Sequence, residues 1–265
     1  MPAVIDRLEY QLASKLGRLS TRHQQELTRL LGNPPSINNV PPEFWQRVRR
    51  ETEDELAAML LLLFIASIDA LGVDRDASEA LGDLFSQQRA AFVAERYTAH
   101  SQARVESASQ RWAGQIADAR SRAGAGPFDA DDVIRPSEVL DTTTGVFGPD
   151  RAARVAETES VHAEAQAANE ALKKRKSDDP IETATLTLRW ELNALRVPEK
   201  NCSFCVLVDG CPKEFWGQFI EAPAAHVGCA CALLFADISD CKPREQWPDV
   251  ARVIAAAKES GIFGY

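Results

Sequence analysis

The side chains best suited to chemistry crowd together late in the chain. All six cysteines fall between Cys202 and Cys241, and none precedes them. The stretch opens with Asn201-Cys202-Ser203-Phe204-Cys205 and closes with Pro223-Ala224-Ala225-His226-Val227-Gly228-Cys229-Ala230-Cys231. Three chemistries compete for these sulfurs. In the first, Cys202 and Cys205 form a C-x-x-C arm that turns two thiolates toward one ion. The second arm is then Cys229 with Cys231, or His226 with one of them. Four such ligands suit a closed tetrahedral site, because Zn2+ favours thiolate and imidazole. The cofactor expected on this reading is a structural Zn2+. In the second, Cys202-x-x-Cys205 is a redox pair of the thioredoxin type, which calls for a βαβ setting that the flanking sequence lacks. In the third, the cysteines are small buried apolar residues. Cys211 and Cys241 fit neither arm.

No other constellation reads as an active site, so no catalytic residue is assigned. An enzyme alternative rests on His226 with Cys229 and Cys231 as an open three-ligand site, beside Glu221 as a base. Glu159 and His162, three residues apart, read as a pair on a helix surface. His23 and His100 sit among polar neighbours and read as surface histidines.

Composition narrows the partners. The chain has 265 residues, 26% charged and 45% hydrophobic, with net charge −9. These are values of a globular protein of one or two domains. The acidic balance opposes sequence-independent binding along a phosphate backbone. The basic run Lys173-Lys174-Arg175-Lys176 reads as a solvated helix end. Met1 to Asp6 lacks the charged and apolar regions of a signal peptide, so a reducing cytoplasm is the expected folding compartment. The run from Leu56 to Ile68 is too short to span a bilayer and reads as a helix buried on all sides.

The elements that must carry these residues are mostly helical. Ile5, Leu8, Leu12, Leu16 and Leu19 form one apolar stripe at the helical period. Ser20 or Thr21 is placed to cap a second piece ending at Leu31, before Gly32-Asn33-Pro34-Pro35. A second helix is expected over about 43–71, a connector over 74–77, and a long helical region over 78–122, as one helix or two. Ala123 to Pro127 is a linker, and a short helix follows Arg135-Pro136-Ser137. Asp150 to Lys174 is an alanine-rich helix. Thr183 to Trp190 alternates as a strand, Cys231 to Phe235 is a second strand, and Trp247 opens a last helix. The expected fold is mostly α: long N-terminal helices, then a small α+β C-terminal domain with a cysteine-rich knot. The expected division is 1–124 helical arm, 125–149 linker and short helix, 150–241 α+β domain, and 242–265 helix and tail.

The order of several short motifs carries a resemblance. Arg151, Ala152, Arg154, Ala156, Thr158 and Glu159 stand on one helix. Trp190 follows on a strand, then the Asp209-Gly210 turn, then Pro223, His226, Cys229 and Cys231. This succession resembles the C-terminal domain of phage Mu protein F-like minor head morphogenesis proteins, over roughly 147–235. The end motif departs from the family pattern: Ala222-Pro223 stands for a double proline and Ala230 for an arginine. The resemblance implies a minor capsid component in the head or portal region of a virion, made in the host cytoplasm. It would be present in several copies, touch portal or major capsid proteins, and assist head morphogenesis, DNA packaging or DNA ejection. It implies no membrane span and no sequence-specific nucleic acid. The alternatives are a metal-dependent hydrolase, nuclease or toxin-like enzyme, and a zinc-ribbon DNA-binding module.

Overall fold

The computed structural model describes residues 2–123, 139, 145–192, 201–220 and 231–260. The linker at 124–127, most of the segment around Arg135, and His226 and Cys229 lie outside the described residues.

The chain is mostly α, as its periodicities require. Among the described residues four long helices come first: α1 (Pro2–Leu31), α2 (Pro42–Ala70), α3 (Arg75–Ala123) and α4 (Pro149–Asp178). Then follow β1 (Leu186–Glu191), α5 (Ser203–Val208), α6 (Lys213–Trp216), β2 (Ala232–Asp237) and α7 (Val250–Glu259). The expected recapping at Ser20 or Thr21 does not occur. The Ser20 hydroxyl pairs with the Tyr97 hydroxyl at 3.1 Å, and Thr21 donates back to the Gly17 carbonyl within the same helix. Both hydroxyls are thus occupied without interrupting the helix, which stops only at Gly32, a residue with φ +73. The expected connector over 74–77 is shorter, since α3 already begins at Arg75. α3 is one unbroken 49-residue helix; at 1.5 Å per residue it is about 70 Å long.

Contacts divide the chain into two compact units: residues 1–9, 60–84 and 154–265 in one, residues 10–59 and 85–153 in the other. In the second, α1 and α2 run antiparallel. Lys15 meets Glu55, Arg22 meets Glu51 and Arg47 meets Glu26, so positions rise on one helix as they fall on the other. The core beneath these ion pairs holds Leu12, Leu27, Phe44, Val48, Leu56 and Phe147, all buried. Burying each such side chain contributes about 1.5–3 kcal/mol, whereas exposed ion pairs are worth about 0–1 kcal/mol; the apolar stripe therefore dominates.

His23 corrects the sequence reading. It is 1% exposed, with Nε2 at 2.8 Å from the Glu51 carboxylate. Its ring meets Phe147 edge-on at 5.6 Å between centroids. Burial lowers its pKa against the opposing pull of the Glu51 hydrogen bond. The imidazole is accordingly neutral, and Nε2–H donates to Glu51, the tautomer assigned from its acceptor. Nδ1 is buried and finds no hydrogen-bond partner among the described residues. His100, by contrast, is exposed as expected.

The run from Leu56 to Ile68, which enters the first unit at Leu60, is amphipathic rather than buried on every side. Leu60, Leu63, Phe64 and Ile68 are buried, but Leu62 is 47% exposed. α2 and α3 approach closely within this unit, because a Cβ on Gly82 would stand 2.7 Å from Phe64 Cδ1. β1 and β2 form a two-stranded antiparallel sheet in which Leu186 faces Asp237 and Glu191 faces Ala232. A two-stranded sheet is marginal alone. Here the Trp190 side chain lies in a core cluster with Phe204, Trp216, Leu188 and Val253.

Candidate functional site

The Trp190 core positions the sulfur-bearing segment. The Trp190 ring meets Phe204 at 5.8 Å and Trp216 at 5.6 Å, both edge-to-face, the geometry that aromatic quadrupoles prefer. Phe204 lies in the first turn of α5 and is wholly buried. Its anchorage fixes the cysteines on either side of the Ser203-Phe204 pair.

The Asp209-Gly210 turn closes this segment onto β1. Gly210 has φ +73, a conformation that costs little without a Cβ. Gly210 N–H donates to the Trp190 carbonyl at 2.8 Å, and Trp190 N–H donates to the Cys211 carbonyl at 3.0 Å. The Asp209 carboxylate accepts from Leu192 N–H at 3.0 Å. The Gly210 carbonyl in turn accepts from Lys242 N–H at 2.7 Å.

The described cysteines separate by environment. Cys202 caps α5, its Sγ accepting from Cys205 N–H at 3.3 Å. Cys202 Sγ and Cys205 Sγ lie 3.1 Å apart, a hydrogen-bonding rather than a covalent distance. Cys202 is half-buried and Cys205 is 1% exposed. Cys211 is fully buried, and burial pushes its thiol up to about 11. Cys241 donates to the Asp237 carbonyl at 3.6 Å, and burial raises its pKa as well. Cys211 and Cys241 thus behave as packing residues.

Of the five candidate ligands, Cys202 and Cys205 are brought into contact, and Cys231 lies buried in the same core cluster. His226 and Cys229 lie outside the described residues, as does Glu221. Among the described residues no three Cys, His, Asp or Glu side chains form a group able to hold a metal ion. A tetrahedral Zn2+ with Zn–S near 2.3 Å sets two sulfurs about 3.8 Å apart. The observed 3.1 Å is tighter than that spacing.

Two assignments on α4 change. Glu159 is 3% exposed, so it is not part of a surface pair; His162 beside it is half-buried. Arg175 does not belong to a solvated run. It donates to the Leu71 carbonyl at 2.8 Å and lies 4.5 Å over the Phe235 ring. Its position three residues after the buried Leu172 is the signal that pointed inward.

A cavity of about 400 Å3 lies in the first unit, with Glu9, Glu157, Glu164, Ser67, Cys231 and Leu233 among its lining residues. Burial raises the Glu164 carboxyl to about 7, and the charges of Glu9 and Asp6 add to the rise. Glu9 is raised by burial and then by Glu157 and Asp6. The sequence offered no sign of this grouping, because its members are far apart along the chain.

Among the described residues no helix is long and apolar enough to cross a membrane. No family model matches the chain, and neither the curated proteins nor the solved structures contain a match.

Proposed function

We propose that this protein is a minor head component of a tailed bacteriophage, associating with portal or capsid subunits during head assembly, DNA packaging or delivery. The observation that carries the reading is the use made of the motif residues. Arg151 donates to the Tyr97 and Val146 carbonyls and to the Ser101 hydroxyl. Ala152 and Ala156 are buried on α4, and Thr158 donates to the Arg154 carbonyl. Trp190 fills the core of the small sheet, and Asp209-Gly210 latches onto its edge. Residues used in this way form a packing framework, which suits a part that must hold shape among other subunits. The long α3 supports the same reading, since an extended helix offers a broad surface to neighbours.

The test is co-expression with the portal protein of the same phage, followed by affinity purification through the portal. The reading expects stoichiometric recovery of this chain. Its absence from both the portal complex and purified particles overturns the reading.

A further inference from the structure

We infer that Cys202 and Cys205 form a reversible dithiol that closes to an intramolecular disulfide on exchange with a low-molecular-weight disulfide such as oxidised glutathione. The inference is independent of the assembly role.

Three observations carry it. The sulfurs stand 3.1 Å apart, so closing to an S–S bond of about 2.05 Å requires a movement of only about 1 Å. The residue that would move is Cys202, which precedes α5 in extended backbone with φ −73 and ψ 157; its adjustment leaves the helix intact. The two thiols also differ in access: Cys202 is half-buried, whereas Cys205 is 1% exposed. An incoming disulfide therefore reaches Cys202 first, and Cys205 resolves the adduct from within.

The exchange balances in two steps. Cys202 releases its thiol proton to solvent, and its sulfur attacks one sulfur of the incoming disulfide. That S–S bond breaks, and the departing thiolate takes up a proton. Cys205 then loses its proton and attacks Cys202 Sγ. The mixed disulfide breaks, and the second small thiolate is protonated. The protein is oxidised by two electrons, and the small disulfide is reduced to two thiols. Cys211 and Cys241 take no part, being buried and held in packing contacts. The two-stranded sheet is unlike the βαβ frame of thioredoxin-type enzymes. The proposed role of the pair is a modification site on this protein.

The test uses the full chain, purified under reducing conditions and then treated with oxidised glutathione. Remaining thiols are alkylated after denaturation and located by peptide mass spectrometry. The expected result is loss of alkylation at Cys202 and Cys205 together, with an internal disulfide peptide that dithiothreitol reverses. Cys205→Ser is expected to trap glutathione on Cys202, and Cys202→Ser to leave Cys205 unmodified. Circular dichroism of both variants establishes that they fold. Full alkylation of both residues after oxidation overturns the inference. So does one tightly held Zn2+ per chain that must be chelated before either thiol reacts, and so does a disulfide joining either cysteine to a different partner.

Discussion

Arg151 lies with its guanidinium carbon 4.0 Å from the centre of the Tyr97 ring while donating to the Tyr97 carbonyl at 3.1 Å. One side chain thereby grips both the face and the backbone of the same residue on α3, and ties the loop before α4 through the Val146 carbonyl at 2.8 Å. The planar fork of arginine serves several acceptors at once, which an ammonium group cannot reproduce. Hydrogen bonds from a charged donor contribute about 1.5–3 kcal/mol each when net, and the stacking adds about 1 kcal/mol. Arg151→Ala is expected to lower stability by about 3 kcal/mol, and Arg151→Lys by about half of that. Thermal unfolding followed by circular dichroism measures both. Equal stability of the lysine variant and the parent would show that the fork does not matter.

Gly82 offers a sharper contrast. Replacing an exposed helical glycine with alanine stabilises by about 1 kcal/mol. Gly114 is such a site, since an added Cβ there would meet nothing within 4 Å among the described residues. At Gly82 the Cβ would meet Phe64 Cδ1 at 2.7 Å, and Phe64 is fully buried. Overpacking of this kind costs about 1–3 kcal/mol and outweighs the propensity gain. Gly82→Ala is expected to lower the melting temperature while Gly114→Ala raises it.

Glu164 makes stability depend on pH in a definite direction. Its folded pKa of about 7 lies above the unfolded value of 4.5. The folded state therefore favours the protonated carboxyl, and stability falls as pH rises from 4.5 to about 7. Above that window the penalty is constant. With allowance for partial exposure it is on the order of 2 kcal/mol. Glu164→Gln is expected to be more stable than the parent at pH 8 by about that amount and nearly equal at pH 4. Denaturant titrations at the two pH values check the difference; a destabilising substitution at pH 8 would contradict it.

His23 acts at the acidic side. Its pKa is depressed below 6.5 by burial, so the unfolded state takes up the proton first as pH falls. The stability it contributes is present above pH 6.5 and is lost as pH drops through the lower folded value. His23→Gln is expected to flatten the pH dependence just below 6.5, in thermal melts of the variant and the parent.

The first helix was legible because one face repeats at the helical period, as in Leu12, Leu16 and Leu19, and because Gly32-Asn33-Pro34-Pro35 ends it. The Thr-rich alternation before Trp190 and the Asp-Gly turn were legible for similar local reasons. His23 was misread from its polar neighbours, Arg22 and Gln24. Its helical spacing from Leu16, Leu19 and Leu27 places it on the buried stripe. The pairing of Cys202 with Cys205 followed from spacing, since Cys202 caps the turn that holds Cys205. The carboxylates around the cavity were not legible. Glu9 and Glu164 meet only through tertiary packing, and no local pattern encodes a contact between residues so distant in sequence.

Cross-linking mass spectrometry on purified phage particles probes the assembly role without an intermediary. A head component is expected to give cross-links from its lysines to portal or major capsid subunits, at a copy number tied to the portal ring. Particles that lack this chain, or that carry it without a cross-link to any head protein, would contradict a place in the head.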